Sequence, residues 1–97
     1  MTVATLGLDE LLYTREGFRG GRPCLAGTQI TVHTIVVDHL DGLLAEEIHE
    51  HRPHASLASI HAALAYFYAH REQVLADFDE DERWGEEQAR ALGAEII

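Results

Sequence analysis

Seven histidines, one cysteine and seven arginines are the side chains through which this 97-residue chain could do chemistry. Three of the histidines, His49, His51 and His54, lie close together in the sequence. Their spacing argues against a metal centre. Residues two apart do not share a helix face, no cysteine lies nearby, and the order matches none of the usual zinc spacings. No metal site and no cofactor are expected. Cys24 would need a base and an orienting group to act as a nucleophile. No local signature supplies them, so a small apolar filler is its expected role. Glu46, Glu47 and Glu50 fall on one stretch of a polar helix and read as a solvated face, not an acid–base pair. There is no Walker loop, nucleophile elbow or dinucleotide fingerprint. No catalytic residue is expected, and the chain is not read as an enzyme. The arginines remain. Arg15, Arg19 and Arg22 are interleaved with Gly17, Gly20 and Gly21, where backbone amides can also approach an anion. They are the candidates for phosphate contact, against the plainer reading of surface pairing with Glu16 and its neighbours.

Such residues need a frame. Residues 1–31 read as a hairpin arm, punctuated by glycines and by Pro23. Ala26-Gly27 is a plausible tight turn between Cys24-Leu25 and Gln29-Ile30-Thr31-Val32. From Val32 the period changes: Val32, Ile35, Val36, Leu40 and Leu43 fit one helical face. Thr31 is its candidate N-cap, and Asp41-Gly42 its stop. A short helix from about Leu44 to His51 follows, with Leu44 and Ile48 inward, and Pro53 ends it. Ser56 caps a third helix, Leu57 to about Arg71. Its inward stripe is Leu57, Ile60, Leu64, Phe67 and Tyr68, and its outward face is Ala58, Ser59, His61, Ala62, Ala65 and Ala69. Two short helices, a break and a longer helix make a helix-turn-helix pattern over 32–71. Residues 72–97 form an acidic C-terminal helix or tail whose apolar positions are loosely spaced and interrupted by Gly85 and Gly93. The expected fold is one mostly α domain: hairpin, helix-turn-helix, acidic helix.

Charge limits the partners. The net charge is −10, which repels nucleic-acid phosphates at long range. The acidity is concentrated near the C-terminus, where Asp77 to Glu82 contains five acids in six residues. Residues 1–31 carry three acids and three arginines, so their charges balance. A lone cysteine excludes an intrachain disulfide. No apolar run approaches the roughly 20 residues of a membrane helix. Asp9 and Glu10, without an early cationic cluster, do not suggest a signal peptide. No membrane association is expected, and a cytoplasmic location is the default.

Gly20-Gly21-Arg22-Pro23-Cys24-Leu25-Ala26-Gly27-Thr28-Gln29-Ile30-Thr31-Val32 resembles the G-G-x-P-x-I-x-G-T-R-I-P-V signature of the DUF433 family. Gly42, Glu46, Glu47, Ile48, Pro53, Ser56, Ile60, Ala62, Ala63, Leu64 and Tyr66 are similar to its second motif, in the same order. The resemblance covers roughly residues 11 to 72. It implies a homeodomain-like helix-turn-helix behind an N-terminal hairpin. It also implies an antitoxin of a type II toxin–antitoxin pair, whose partner is a PIN-like ribonuclease toxin. No catalytic residues come with it. The chain departs from the pattern at Gln29-Ile30-Thr31, which lacks the usual cation, and at Ala58-Ser59, where the third helix usually has an acid.

The third helix carries no lysine or arginine before Arg71, whereas guanine is normally read by a bidentate arginine or lysine. Only Ser59 and His61 offer polar contacts, so operator DNA binding is expected to be weak and to lean on Arg15, Arg19 and Arg22. In the C-terminal segment, Trp84 stands out, since tryptophan is enriched at interface hot spots. Phe78, Arg83, Trp84, Arg90 and Leu92 are therefore the candidates for binding the toxin, with a homodimer expected. The alternatives are a stand-alone transcriptional regulator and an oligomeric interaction module that touches no DNA.

Overall fold

The computed structural model describes the backbone of residues 8–96 and the side chains of residues 10–91. A single turn, α1 (Leu8–Leu11), runs into β1 (Leu12–Tyr13). A 3₁₀ turn (Arg19–Gly21) leads to β2 (Cys24–Leu25), and four helices follow: α2 (Val32–Leu40), α3 (Ala45–His51), α4 (Leu57–Ala69) and α5 (Arg71–Ile96). The chain is thus mostly helical behind a small antiparallel hairpin.

The hairpin pairs differently from the sequence expectation. β2 takes β1 as its partner, with Leu12 opposite Leu25 and Tyr13 opposite Cys24. The expected pairing across Ala26-Gly27 survives only as one bridge, Cys24 to Thr31, with Leu25 N–H donating to Ile30 O at 2.8 Å. The reason is local. Gly27 sits at φ +75°. The Thr28 hydroxyl donates to Leu25 O at 2.9 Å and accepts from Ile30 N–H at 3.0 Å. A side chain therefore takes over bonds that a longer ladder would need.

Helix boundaries follow local chemistry. Thr31 accepts from Thr34 N–H and caps α2. Gly42, at φ +96°, ends the turn after α2, in the region where glycine is tolerated without a Cβ clash. Ser56 accepts from Ser59 N–H and caps α4. Leu44, expected inward, is instead the exposed N-cap of α3. Its N–H donates to the Glu47 carboxylate at 3.0 Å, and Ala45 and Ile48 supply the buried positions.

The core gathers Leu25, Val32, Ile35, Val36, Ile48, Ile60, Ala63, Phe67 and Val74. α4 lies at its centre, packed against α1, α2, α3, α5 and both strands. The expected inward face of α4 holds at Ile60 and Phe67 and is corrected at its edges. Its buried residues are Ser59, Ile60, Ala62, Ala63 and Phe67, while Leu57 and Tyr68 are exposed. The small residues Ser59, Ala62 and Ala63 let neighbouring backbones come close, which a stripe chosen by side-chain size does not anticipate.

α5 is a continuous 26-residue helix through Gly85, about 39 Å long at 1.5 Å per residue. Val74 is fully buried and Phe78 packs partly into the core. From Asp79 to Ala91 every residue is exposed. The helix projects from the body, and the molecule measures 67 × 29 × 24 Å along its principal axes.

Candidate functional site

Two regions bear on function: the junction where α5 crosses the hairpin loop, and the distal half of α5. The junction begins with an unusual backbone. Arg19, Gly20 and Gly21 all have left-handed φ values, +52°, +66° and +77°. Among the described residues Arg19 is the only non-glycine with positive φ, a conformation that L side chains adopt at a cost. The reversal brings Arg22 up against α5. There its guanidinium donates to both oxygens of Asp81, at 2.8 and 2.9 Å. This bond holds the Asp81 carboxyl below its ordinary range and raises Arg22.

One turn earlier on α5, Asp77 accepts from His33 Nε2 at 2.8 Å and from Gln73 at 2.9 Å. The His33 bond requires the proton on Nε2. His33 Nδ1 is buried and has no hydrogen-bond partner among the described residues. Partial burial pushes the Asp77 carboxyl up, but the His33 and Gln73 hydrogen bonds outweigh it, and the net direction is down. His33 is 5% exposed and meets the Phe78 ring edge-on at 5.6 Å. Beside this latch lies a cleft of about 600 Å³, bordered by Arg19, Tyr66, Glu80 and Trp84.

The sequence candidates divide accordingly. Arg15 and Arg19 are exposed, and both lie over the Phe18 ring, at 5.4 and 5.6 Å from its centroid. Arg22 joins the same loop but is held by Asp81. Ser59 is a correction. At 1% exposure it cannot meet a base edge, and its hydroxyl donates to Leu11 O at 3.0 Å, tying the α1–β1 junction to α4. His61 is exposed, as expected, but its neighbours on that strip are Ala58 and Ala65, and no cation accompanies it. Phe78 is a second correction. It packs on its own core and on His33, so it is not offered to a partner. Arg83, Trp84 and Arg90 stand exposed on distal α5, and Trp84 is 64% exposed. The Leu92 side chain lies outside the described residues.

The acidic run also divides. Asp77 is paired with His33 and Asp81, though half exposed, with Arg22. From Glu82 to Ala91 there are three carboxylates against two arginines, so this stretch is less acidic than the run before it. His49, His51 and His54 do not converge. His49 Nδ1 donates to Ala55 O at 2.7 Å and stiffens the α3–α4 turn, while His51 and His54 are exposed. Among the described residues no group of three metal-ligating side chains comes together. Cys24 is buried, its thiol 3.7 Å from Arg22 O.

Sequence reasoning missed His33, Asp77 and Asp81. The pairs they form span 44 and 59 residues, and no local pattern reports such a separation. The five-acid run carried the available signal: like charges packed so densely need cations nearby, and Arg22 belonged to the most arginine-rich part of the chain.

A small helical domain with an N-terminal hairpin and a buried central helix is the class these observations define. The family model described as "Protein of unknown function (DUF433)" matches residues 14–67, more than half of the chain. The chain belongs to the DUF433 family. Its fold is similar to that of a DUF433 member protein from Anabaena variabilis ATCC 29413, seen in a crystal structure. The two are 24% identical with a TM-score of 0.64, over 72% of this chain and 69% of that one. No curated protein matches. No helix among the described residues is long and apolar enough to cross a membrane.

Proposed function

We propose that this chain is an antitoxin-type interaction protein, whose projecting α5 docks on a partner protein and occludes it. The observation that carries the reading is Trp84, 64% exposed on a helix that continues beyond its own core. A large aromatic on a preformed helix binds with little ordering cost. The segment beyond Asp81 carries four carboxylates and two arginines, and Trp84 is its large apolar anchor. Arg83 and Arg90, seven apart, share one helix face and supply polar rim contacts. The partner proposed, in line with the sequence resemblance, is a PIN-like ribonuclease toxin. Nucleic-acid contact is a second role, carried by the loop arginines. Burial of α4 between the hairpin and the other helices weakens the alternative of a stand-alone regulator that reads DNA with that helix.

The test is a tagged pull-down from the native host with wild-type protein and with Trp84→Ala. The expected result is a stoichiometric small PIN-like protein on the wild type, lost on the variant. A clean wild-type bait refutes the antitoxin reading. An undiminished catch on Trp84→Ala refutes the role of distal α5.

A further inference from the structure

We propose that the loop between β1 and β2 is a binding site for the phosphodiester backbone of a nucleic acid, with Asp81 of α5 acting as an internal competitor for it. The inference rests on the nucleic-acid part of the reading above and adds the site and its regulation. The loop concentrates positive charge. Arg15 and Arg19 both lie over Phe18, so their guanidinium carbons are within about 11 Å of one another. Neither forms an ion pair among the described residues. The loop thus holds two arginines without an ion pair, with Glu16 between them in sequence and Asp77 and Glu80 bordering the cleft beside Arg19, and its net positive charge is open to an anion.

Arg22 would be the third cation, and it is already engaged. Asp81 meets it fork to fork, with both oxygens on both terminal nitrogens. A carboxylate and a phosphate present the same paired oxygens to a guanidinium, so Asp81 stands where a phosphate would. The pair is accessible, with side chains 27% and 51% exposed, so an incoming phosphate can exchange with the carboxylate. α5 does not depend on this contact alone, because Val74 and Phe78 also hold it to the body. Release of Asp81 therefore leaves the fold intact and adds one cation to the site.

Fluorescence anisotropy with labelled oligonucleotides of arbitrary sequence, a duplex of about 20 base pairs and a single strand, tests this across a salt series. Asp81→Asn is expected to bind roughly tenfold tighter at about 50 mM salt, with a log–log salt slope steeper by about 0.9, the signature of one further phosphate contact. Asp79→Asn removes the same charge from an exposed position without an ion pair and is expected to leave the slope unchanged. The double variant Arg22→Gln with Asp81→Asn is expected to lose the gain. Circular dichroism checks that each variant is folded. If Asp81→Asn behaves as Asp79→Asn, or its gain persists without Arg22, the competition is refuted. Binding that still disappears with Arg15→Gln and Arg19→Gln then upholds the loop as a site. No binding by any variant, or binding indifferent to those arginines, overturns both. Displacement of the oligonucleotides by millimolar inorganic phosphate overturns the assignment to a polymer.

Discussion

α5 is part of the cooperative core over its first two turns and separable beyond Asp81, and a pair of perturbations tests both halves of that statement. Val74 is fully buried. Val74→Ala removes two methyl groups, about 1.6 kcal/mol at about 0.8 kcal/mol per buried carbon, plus a cavity contribution. The better helix propensity of alanine returns up to about 0.6 kcal/mol. The net loss is about 1.5 kcal/mol, a fall in Tm of roughly 6–12 °C for a domain of this size. A stop codon at Glu82 behaves differently. It removes residues that are all exposed up to Ala91 and leaves Val74, Phe78, Asp77 and Asp81 in place. The expected change is within about 0.5 kcal/mol. Thermal melts followed at 222 nm read both variants, and the truncation should lower the helical signal while keeping the midpoint. A wild-type Tm for Val74→Ala would refute the docking of α5. A clear drop for the truncation, dependent on protein concentration, would show that distal α5 is buried against a second copy.

Two further outcomes follow from the same contacts. Ser59→Ala should destabilise by about 1 kcal/mol, at the low end because Leu11 O keeps its second donor, Ala26 N–H at 2.8 Å. His61→Ala should change stability little, and urea midpoints of the two variants separate a buried tether from a surface residue. The acid limb of stability should contain a contribution from Asp77 and Asp81, whose carboxyls are both held down in the folded state. That contribution is fully present above the ordinary carboxylate range near pH 4 and is lost as pH falls through the depressed folded values. For the accessible Arg22–Asp81 pair it is below about 1 kcal/mol. Urea titrations at pH 5 and pH 3 should show a smaller acid loss for Asp81→Asn than for the wild type, and equal losses would refute the latch.

What could be read from the sequence was local. Thr31 and Ser56 announce their helices because a hydroxyl before an apolar periodic run satisfies an amide that the helix cannot. Gly42 ends α2 for an equally local reason, its left-handed backbone. What escaped was set by distance or by size. The buried face of α4 is extended by Ser59, Ala62 and Ala63, which pack closely because they are small; an apolar stripe read by bulk finds Ile60 and Phe67 but wrongly adds Leu57 and Tyr68. The partners of Asp77 and Asp81 lie far along the chain, so nothing local in the acidic helix or tail reports that part of it is an internal contact. The candidate site was legible in its cations and illegible in what holds them.

The position of α4 also decides where nucleic-acid chemistry can sit on this molecule. A helix-turn-helix pattern in the sequence invites the longer helix to be the reading head. Here that helix is the strut on which the hairpin, α2, α3 and α5 are assembled. Its exposed positions are Leu57, Ala58, His61, Ala65, Tyr68 and Ala69, which offer neither the fork of an arginine nor the amide of an asparagine. The cations lie instead on the hairpin loop, where left-handed glycines turn the chain and Phe18 gathers two guanidiniums. The same architecture leaves distal α5 exposed from Glu82 to Ala91, with Trp84 bordering the cleft beside Arg19 and Tyr66. The Arg22–Asp81 pair links the cation-bearing loop to α5, so a change in the position of α5 would change the charge that the loop presents.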